Sequence, residues 1–290
     1  MTSGDFRFGV NLTVPAIRDE WKAKCREAED LGYNTVAVPD HLGMPSPFPA
    51  LVLAAEATDQ VRVGTFVMNT AFYNPTLFAR DVLGTDQFTA GRLELGLGAG
   101  YVKAEFDKAG LTFDTPGRRI DHLVRTIDEL ERCYADEEEP NPAQPGGPPL
   151  LIAGSGDRLL RLAAQRASVI SFAGAGFQRD GTPVIQDAEK LDERVRFVTS
   201  ALNGRTVEFN IVVMRVKITD SRAAALKDYA DRVPHSLPPD KLADLPICLF
   251  GTAEEIADQL RAHRERFGFT YFTVLEPSMH DFAKVITLLS

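Results

Sequence analysis

The sequence predicts an α/β fold of the closed kind, a (β/α)8 TIM barrel with insertions in the loops at its C-terminal face. Three observations lead there. Strand and helix patterns alternate through all 290 residues without a change of rhythm. The strands are short apolar runs with little inward/outward alternation, such as VISFA and FTVL, as expected where both faces of a parallel sheet are covered. The length also suits a barrel folded as one domain, 1–290. An open doubly wound sheet shares the alternation, but eight units in succession favour closure.

The first strand is FRFGVNL (6–12). A helix at 16–32 follows, with Ile17, Trp21, Cys25, Ala28 and Leu31 at helical spacing and Gly32 closing it. NTVAVPD (34–40) is the second strand and 49–60 its helix. VRVGTFV (61–67) is the third, and Pro75 opens the helix 75–89, where a missing N–H does no harm. GRLELGLGAG (91–100) is the fourth strand and runs into a glycine-rich loop before the helix 117–136. The segment 137–149 has five prolines in thirteen residues and reads as a solvated connector within the barrel, not a domain boundary.

LLIAGSG (150–156) is the fifth strand, 157–167 its helix, and SVISFAGAG (168–176) the sixth strand. The turn-rich stretch 177–186 is an excursion above the barrel, and a strong helix occupies 188–204. VEFNIVVMRVKITD (207–220) reads as one long seventh strand, followed by a helix at 223–233 and a proline-punctuated loop at 235–246. Thr252 and Glu255 form a capping box at the start of the helix 252–268. FTYFTVLEP (269–277) and a closing helix at 280–289 complete the eighth unit.

Composition narrows the function classes. An apolar share of 44% with 25% charged residues is that of a globular chain. A net charge of −9 and a pI near 5.2 argue against nucleic acid or an anionic membrane as partner. Cys25, Cys133 and Cys248 are odd in number and far apart, so no disulfide framework and no zinc site is expected. The N-terminal MTSGDFRFGV lacks the features of a secretory signal, and no apolar run approaches the roughly 18 residues of a membrane span. A cytoplasmic location is expected.

Chemistry in such a barrel belongs at the C-terminal strand ends. These are Asn11–Thr13, Asp40–His41, Phe66–Asn69, Gly98–Tyr101, Gly154–Gly156, Gly174–Gly176, Arg215 and Glu276. His41 is the only one of the histidines 41, 122, 235, 263 and 280 at such an end, and a histidine there can pass a proton near neutral pH. The alternative is a loop histidine satisfied by backbone. GLGAG (96–100) invites a dinucleotide reading, but Tyr101 stands where that motif needs glycine or alanine, and Asp121 at the acidic position falls within a helix. Its glycines still permit close approach of a planar ring or a phosphate. AGSGDRLLRLAA (153–164) is more specific: a strand ends in Gly-Ser-Gly and a helix begins at once, an arrangement that binds anions, with a plain N-cap by Ser155 as the lesser alternative. No HxH, HExxH or GxSxG is present, so no metal site or hydrolase is expected.

Several segments in order then carry a resemblance. PDH (39–41), VGTFVMN (63–69), NPTLFAR (74–80), GRLELGLGAGYVKAEF (91–106), LLIAGSGDRLLRLAAQRA (150–167) and GTAEEIADQLRAHRERFGFTYFTV (251–274) are similar to the luciferase-like monooxygenase superfamily, in particular its F420-dependent oxidoreductases. The resemblance implies a flavin-like cofactor across the barrel mouth, coenzyme F420 or FMN. Its ring would lie near Asp40, Phe66, Val67, Asn69, Gly98, Ala99, Gly100 and Tyr101, with the Phe66–Val67 peptide cis. Its phosphate would sit at Gly154, Ser155 and Gly156, with His41 handling the proton and Asp40 orienting or anchoring the ring.

Two departures count against a sugar-phosphate dehydrogenase. Pro45 replaces a family tryptophan, and Tyr101 a family glutamate, which leaves Glu105 as a nearby structural acid. The expected activity is hydride transfer between F420 and a small organic substrate. An FMN monooxygenase and a non-catalytic cofactor-binding barrel are the alternatives, and a homodimer is the one protein assembly the reading allows.

Overall fold

The computed structural model describes residues 6–136, 141–177, 183–233 and 236–289. Eight parallel strands form the barrel: Arg7–Asn11, Thr35–Val38, Arg62–Thr65, Leu93–Gly98, Leu150–Gly154, Val169–Phe172, Glu208–Val213 and Phe269–Leu275. Each pairs with the next in chain order, and the first pairs with the last from Arg7↔Tyr271 to Asn11↔Leu275, so the sheet closes. Helices cover the outside, among them Arg18–Asp30, Pro75–Phe88, Pro116–Ala135, Asp157–Arg166 and Ala253–Phe267. The capping box of Thr252 and Glu255 is formed, and Gly32 takes a left-handed φ of 87° after the first helix. Among the described residues no helix is long and apolar enough to cross a membrane.

Alternation along each strand splits the buried material in two. Phe8, Val10 and Leu12 of the first strand point outward into the main apolar core beneath the helices. Arg7, Gly9 and Asn11 alternate with them and so face the barrel interior. The floor of that interior is ionic: Arg7 pairs with Glu94 and with Glu208 (2.7 Å), Arg62 with Glu94 (2.7 Å), and the Arg7 guanidinium lies 4.1 Å from the centre of the Tyr271 ring. Burial works against the Arg7 charge, but Tyr271 and the two carboxylates outweigh it and raise its pKa. Above lies a buried chain in which Ser171 donates to Asn210 (2.7 Å) and Asn210 to Thr273 (2.9 Å). A small apolar cluster follows, with Phe66, Val67 and Ala153 packed on Leu151, Val169 and Tyr271.

The structure differs from the sequence reading in four places. The long seventh strand breaks at Met214, because Met214 and Arg215 both turn their N–H groups to the Ile247 carbonyl. Arg215–Ile218 then pairs with Cys248–Gly251, a strand not expected, and places Arg215 outside the barrel wall. A short helix, Pro239–Leu242, lies in the proline-punctuated loop, and another, Lys103–Ala109, follows the glycine-rich loop. The described part of the connector is anchored at Gln144, which donates to Asp86 (2.7 Å) and accepts from Arg62 (2.8 Å), while Asn141, Ala143, Pro145 and Gly146 are exposed. The excursion is an antiparallel pair, Ala175–Phe177 with Pro183–Ile185; residues 178–182, like 137–140 and His235, lie outside the described residues.

Candidate active site

The third strand stops at Thr65, and Met68–Asn69 resumes pairing with the fourth strand at Met68↔Leu97 and Asn69↔Gly98. The interruption carries a cis peptide at Phe66–Val67, as expected. Glycines on the fourth strand make room for this bulge. A Cβ on Gly96 would stand 2.0 Å from the Thr65 carbonyl oxygen, and one on Gly98 would stand 2.9 Å from Cγ2 of Val67. One on Gly100 would meet Oδ1 of Asn69 at 2.2 Å. These glycines therefore serve the contact between two strands, and the half-buried Phe66, Val67 and Ala99 provide the apolar surface.

Asp40 holds the bulge in place. It is 8% exposed, and both of its oxygens are engaged, Oδ2 by the Asn69 N–H (3.0 Å) and Oδ1 by the Tyr73 hydroxyl (3.2 Å). Burial pushes its carboxyl above the ordinary aspartate value, against the pull of those two donors. His41, the next residue, is directed elsewhere. Its Nδ1 lies 3.0 and 3.1 Å from the two oxygens of Glu105, of which Oε1 also accepts from the Leu42 N–H at 3.2 Å. With a carboxylate at Nδ1, the proton of the neutral imidazole rests there, and Nε2 keeps a lone pair. The Tyr101 ring meets the imidazole edge-on, 5.9 Å between centres.

Glu105 thus orients His41 and is more than the structural acid the sequence suggested. The 64 positions between His41 and Glu105 left no local signal of this contact. Asn11 was named as a strand end but given no role. Its Nδ2 donates to the Phe66 carbonyl at 3.4 Å, and its Oδ1, like that of Asn69, is buried with no donor among the described residues. Unpaired buried acceptors at the end of a barrel suit a ligand with donors. The other histidines lie apart: His122 contacts the Thr70 and Tyr73 carbonyls, His263 is buried in a helix, and His280 sits 3.7 Å from Glu27. Glu276 is structural, accepting from the Thr13 and Val14 N–H groups at 2.7 and 2.8 Å.

Across the barrel, the fifth strand ends at Gly154 and the helix Asp157–Arg166 begins with Gly156 as its N-cap. No side chain caps it, so Ser155 is not the N-cap and the first-turn N–H groups keep their capacity for an anion. Gly154 is required by packing, since a Cβ there would lie 2.1 Å from Cδ2 of Leu159, whereas Gly156 has open space around it. A flat apolar surface at Phe66 and Val67, unpaired acceptors beside it and an uncapped helix N-terminus opposite together fit a planar cofactor with a phosphate.

The luciferase-like monooxygenase sequence profile matches residues 7–244. A 5,10-methylenetetrahydromethanopterin reductase of Archaeoglobus fulgidus is 27% identical over 168 residues, 55% of this chain and 50% of the relative, so the chain spans about half of that protein. An F420-dependent glucose-6-phosphate dehydrogenase of Kribbella flavida is 26% identical over 90% of this chain and 88% of its own. The structure of an F420-dependent secondary alcohol dehydrogenase, in complex with an F420-acetone adduct, superimposes with a TM-score of 0.74 at 15% identity, covering 98% and 97% of the two chains. At that identity the likeness speaks for the fold alone. The relatives include F420-dependent enzymes and flavin-dependent monooxygenases alike.

Proposed function

Since the chain belongs to the luciferase-like monooxygenase family, whose enzymes are oxidoreductases and monooxygenases, we propose that it is an F420-dependent oxidoreductase acting on a small organic substrate. The observation that carries this reading is the pairing of Asp40 and His41 at one strand end, one residue fixing the bulge and the other presenting Nε2. The alignment of an F420-dependent relative over nearly the whole of both chains supports the choice of cofactor. When bound, such a deazaflavin supplies a ring carbon that gives or takes a hydride.

The protein's own residues do the rest. Phe66 and Val67 back the ring, and Asp40 keeps them in place through Asn69. Asn69, Ala99, Gly100 and Tyr101 would line its edge, with the buried Gly98 behind Val67. Gly154, Ser155 and Gly156 hold the phosphate with N–H groups at the start of a helix. Glu105 fixes the His41 ring so that Nε2 accepts or returns the substrate proton. FMN, with a monooxygenase activity, is the second reading, favoured by the flavin-dependent members among the relatives.

A mass spectrum of the small molecule extracted from the native protein tests the choice. A deazaflavin mass supports the first reading and an FMN mass the second. Purified protein that binds neither F420 nor FMN in titration refutes both.

A further inference from the structure

Beside the phosphate cradle, a cavity of about 360 Å³ opens between Ala71, the loop at Thr112 and Asp114, and the first turns of the helix Pro116–Ala135. Arg118, Arg119, His122 and Arg125 line it, with Asp114 and Asp121 as the only carboxylates. Both carboxylates are engaged, Asp114 with Arg118 at 3.5 Å and Asp121 with Arg158. Neither Arg119 nor Arg125 forms an ion pair with a carboxylate among the described residues, although Asp114 attracts Arg119 from beyond ion-pair distance.

Arg119 is only 9% exposed. Its Nε donates to the Gly100 carbonyl at 3.1 Å and its Nη1 to the Asp114 carbonyl, and the guanidinium lies 4.2 Å from the centre of the Phe113 ring. Dipoles and a ring face its charge, and burial pulls its pKa below the ordinary arginine value despite the attraction of Asp114. Buried charges in proteins are as a rule paired, so a buried guanidinium with no ion pair of its own on a cavity wall favours an anion in that cavity. Arg125 reinforces this, with Nδ1 of His122 at 3.4 Å as its polar contact.

The cavity adjoins the cradle through Arg158. That residue sits in the first turn of the helix behind Gly154–Gly156, donates to the Gly117 carbonyl at 3.0 Å, and pairs with Asp121. A group leaving the phosphate along this seam reaches the arginines. We infer that the cavity receives the carboxylates of an acidic extension carried on the phosphate end of the cofactor. The inference rests on the cofactor reading above and sharpens it. A deazaflavin carrying an oligoglutamate tail has such an extension, and FMN, which ends at its phosphate, has none.

The test is a fluorescence titration of wild type and of an Arg118→Ala, Arg125→Ala double variant. The ligands are F420 with its oligoglutamate tail and the same deazaflavin phosphodiester with every glutamate removed. Both arginines are exposed, so the variant is expected to fold. Wild type should prefer the tailed form by tenfold or more, a preference that fades at high salt. The variant should bind both forms alike, at the wild-type affinity for the tail-less one. Equal binding of the two forms by wild type overturns the inference, and inorganic phosphate binding lost in the variant would then identify a separate anion as the occupant. If neither deazaflavin binds wild type, the cofactor reading fails, and titration with free γ-triglutamate judges the cavity alone: no binding, or binding unchanged in the variant, overturns it.

Discussion

His263 lies on the helix Ala253–Phe267, 6% exposed, with its ring stacked on Phe267 and its Nε2 without a partner. Burial, helped by Arg266 and Arg222, lowers its pKa from 6.5 to about 4. The unfolded chain therefore takes up a proton below pH 6.5 that the folded protein refuses until about pH 4. Stability is full above the upper value and falls as pH drops through the window, because the unfolded state binds the extra proton. At about 1.4 kcal/mol per unit, the window amounts to roughly 3 kcal/mol. His263→Leu removes the titration and also the unpaired nitrogen, at similar volume. Urea unfolding at intervals from pH 7.5 to 4 should show the variant losing about 3 kcal/mol less than wild type on the acid limb. At neutral pH the variant should be no less stable. Superimposable acid limbs would refute the reasoning, as would an imidazole proton resonance of His263 that titrates near 6.5 in the folded protein.

Two further outcomes follow from the site. His41→Ala should lower turnover by about 10²-fold or more while cofactor affinity changes only a few-fold, measured by steady-state kinetics and fluorescence titration; loss of cofactor with unchanged saturated turnover would make His41 a binding residue instead. Ser155→Ala should leave the melting temperature within about 1 °C, because Ser155 does not cap the helix, yet weaken cofactor binding several-fold through one lost hydrogen bond of roughly 1 kcal/mol. A drop in melting temperature with unchanged affinity would return Ser155 to a structural role.

The barrel was legible because its signal is periodic and local. Apolar spacing on helices such as Arg18–Asp30, and unbroken apolar strands such as Val169–Phe172, depend on neighbours within a few residues. The break at Met214 was not legible, because it is imposed by the Ile247 carbonyl, more than thirty residues away. The partner strand Cys248–Gly251 is four residues long and fully buried, so it shows neither alternation nor helical spacing. The strand ends singled out His41, whereas the Phe66–Val67 bulge followed from the family resemblance and not from any local pattern. The reasons for the glycines were not legible. The sequence explains Gly98 and Gly154 by ligand approach, while the structure gives their space to Val67 and Leu159.

Asp40 and His41 show why adjacent residues at a strand end take separate tasks. Successive side chains leave a strand on opposite sides, so one of the pair turns into the packed wall and the other toward the opening. Asp40 takes the wall, and both of its oxygens are consumed by Asn69 and Tyr73. Those two hydrogen bonds tie the carboxylate to Asn69 and Tyr73, so its influence passes through the position of Phe66 and Val67. His41 keeps 28% of its side chain exposed and engages one nitrogen with Glu105, which leaves the other for a proton. On the proposed function, His41 is the residue of this strand end placed to exchange a proton, and substitution at Asp40 should register first as a displaced ring surface.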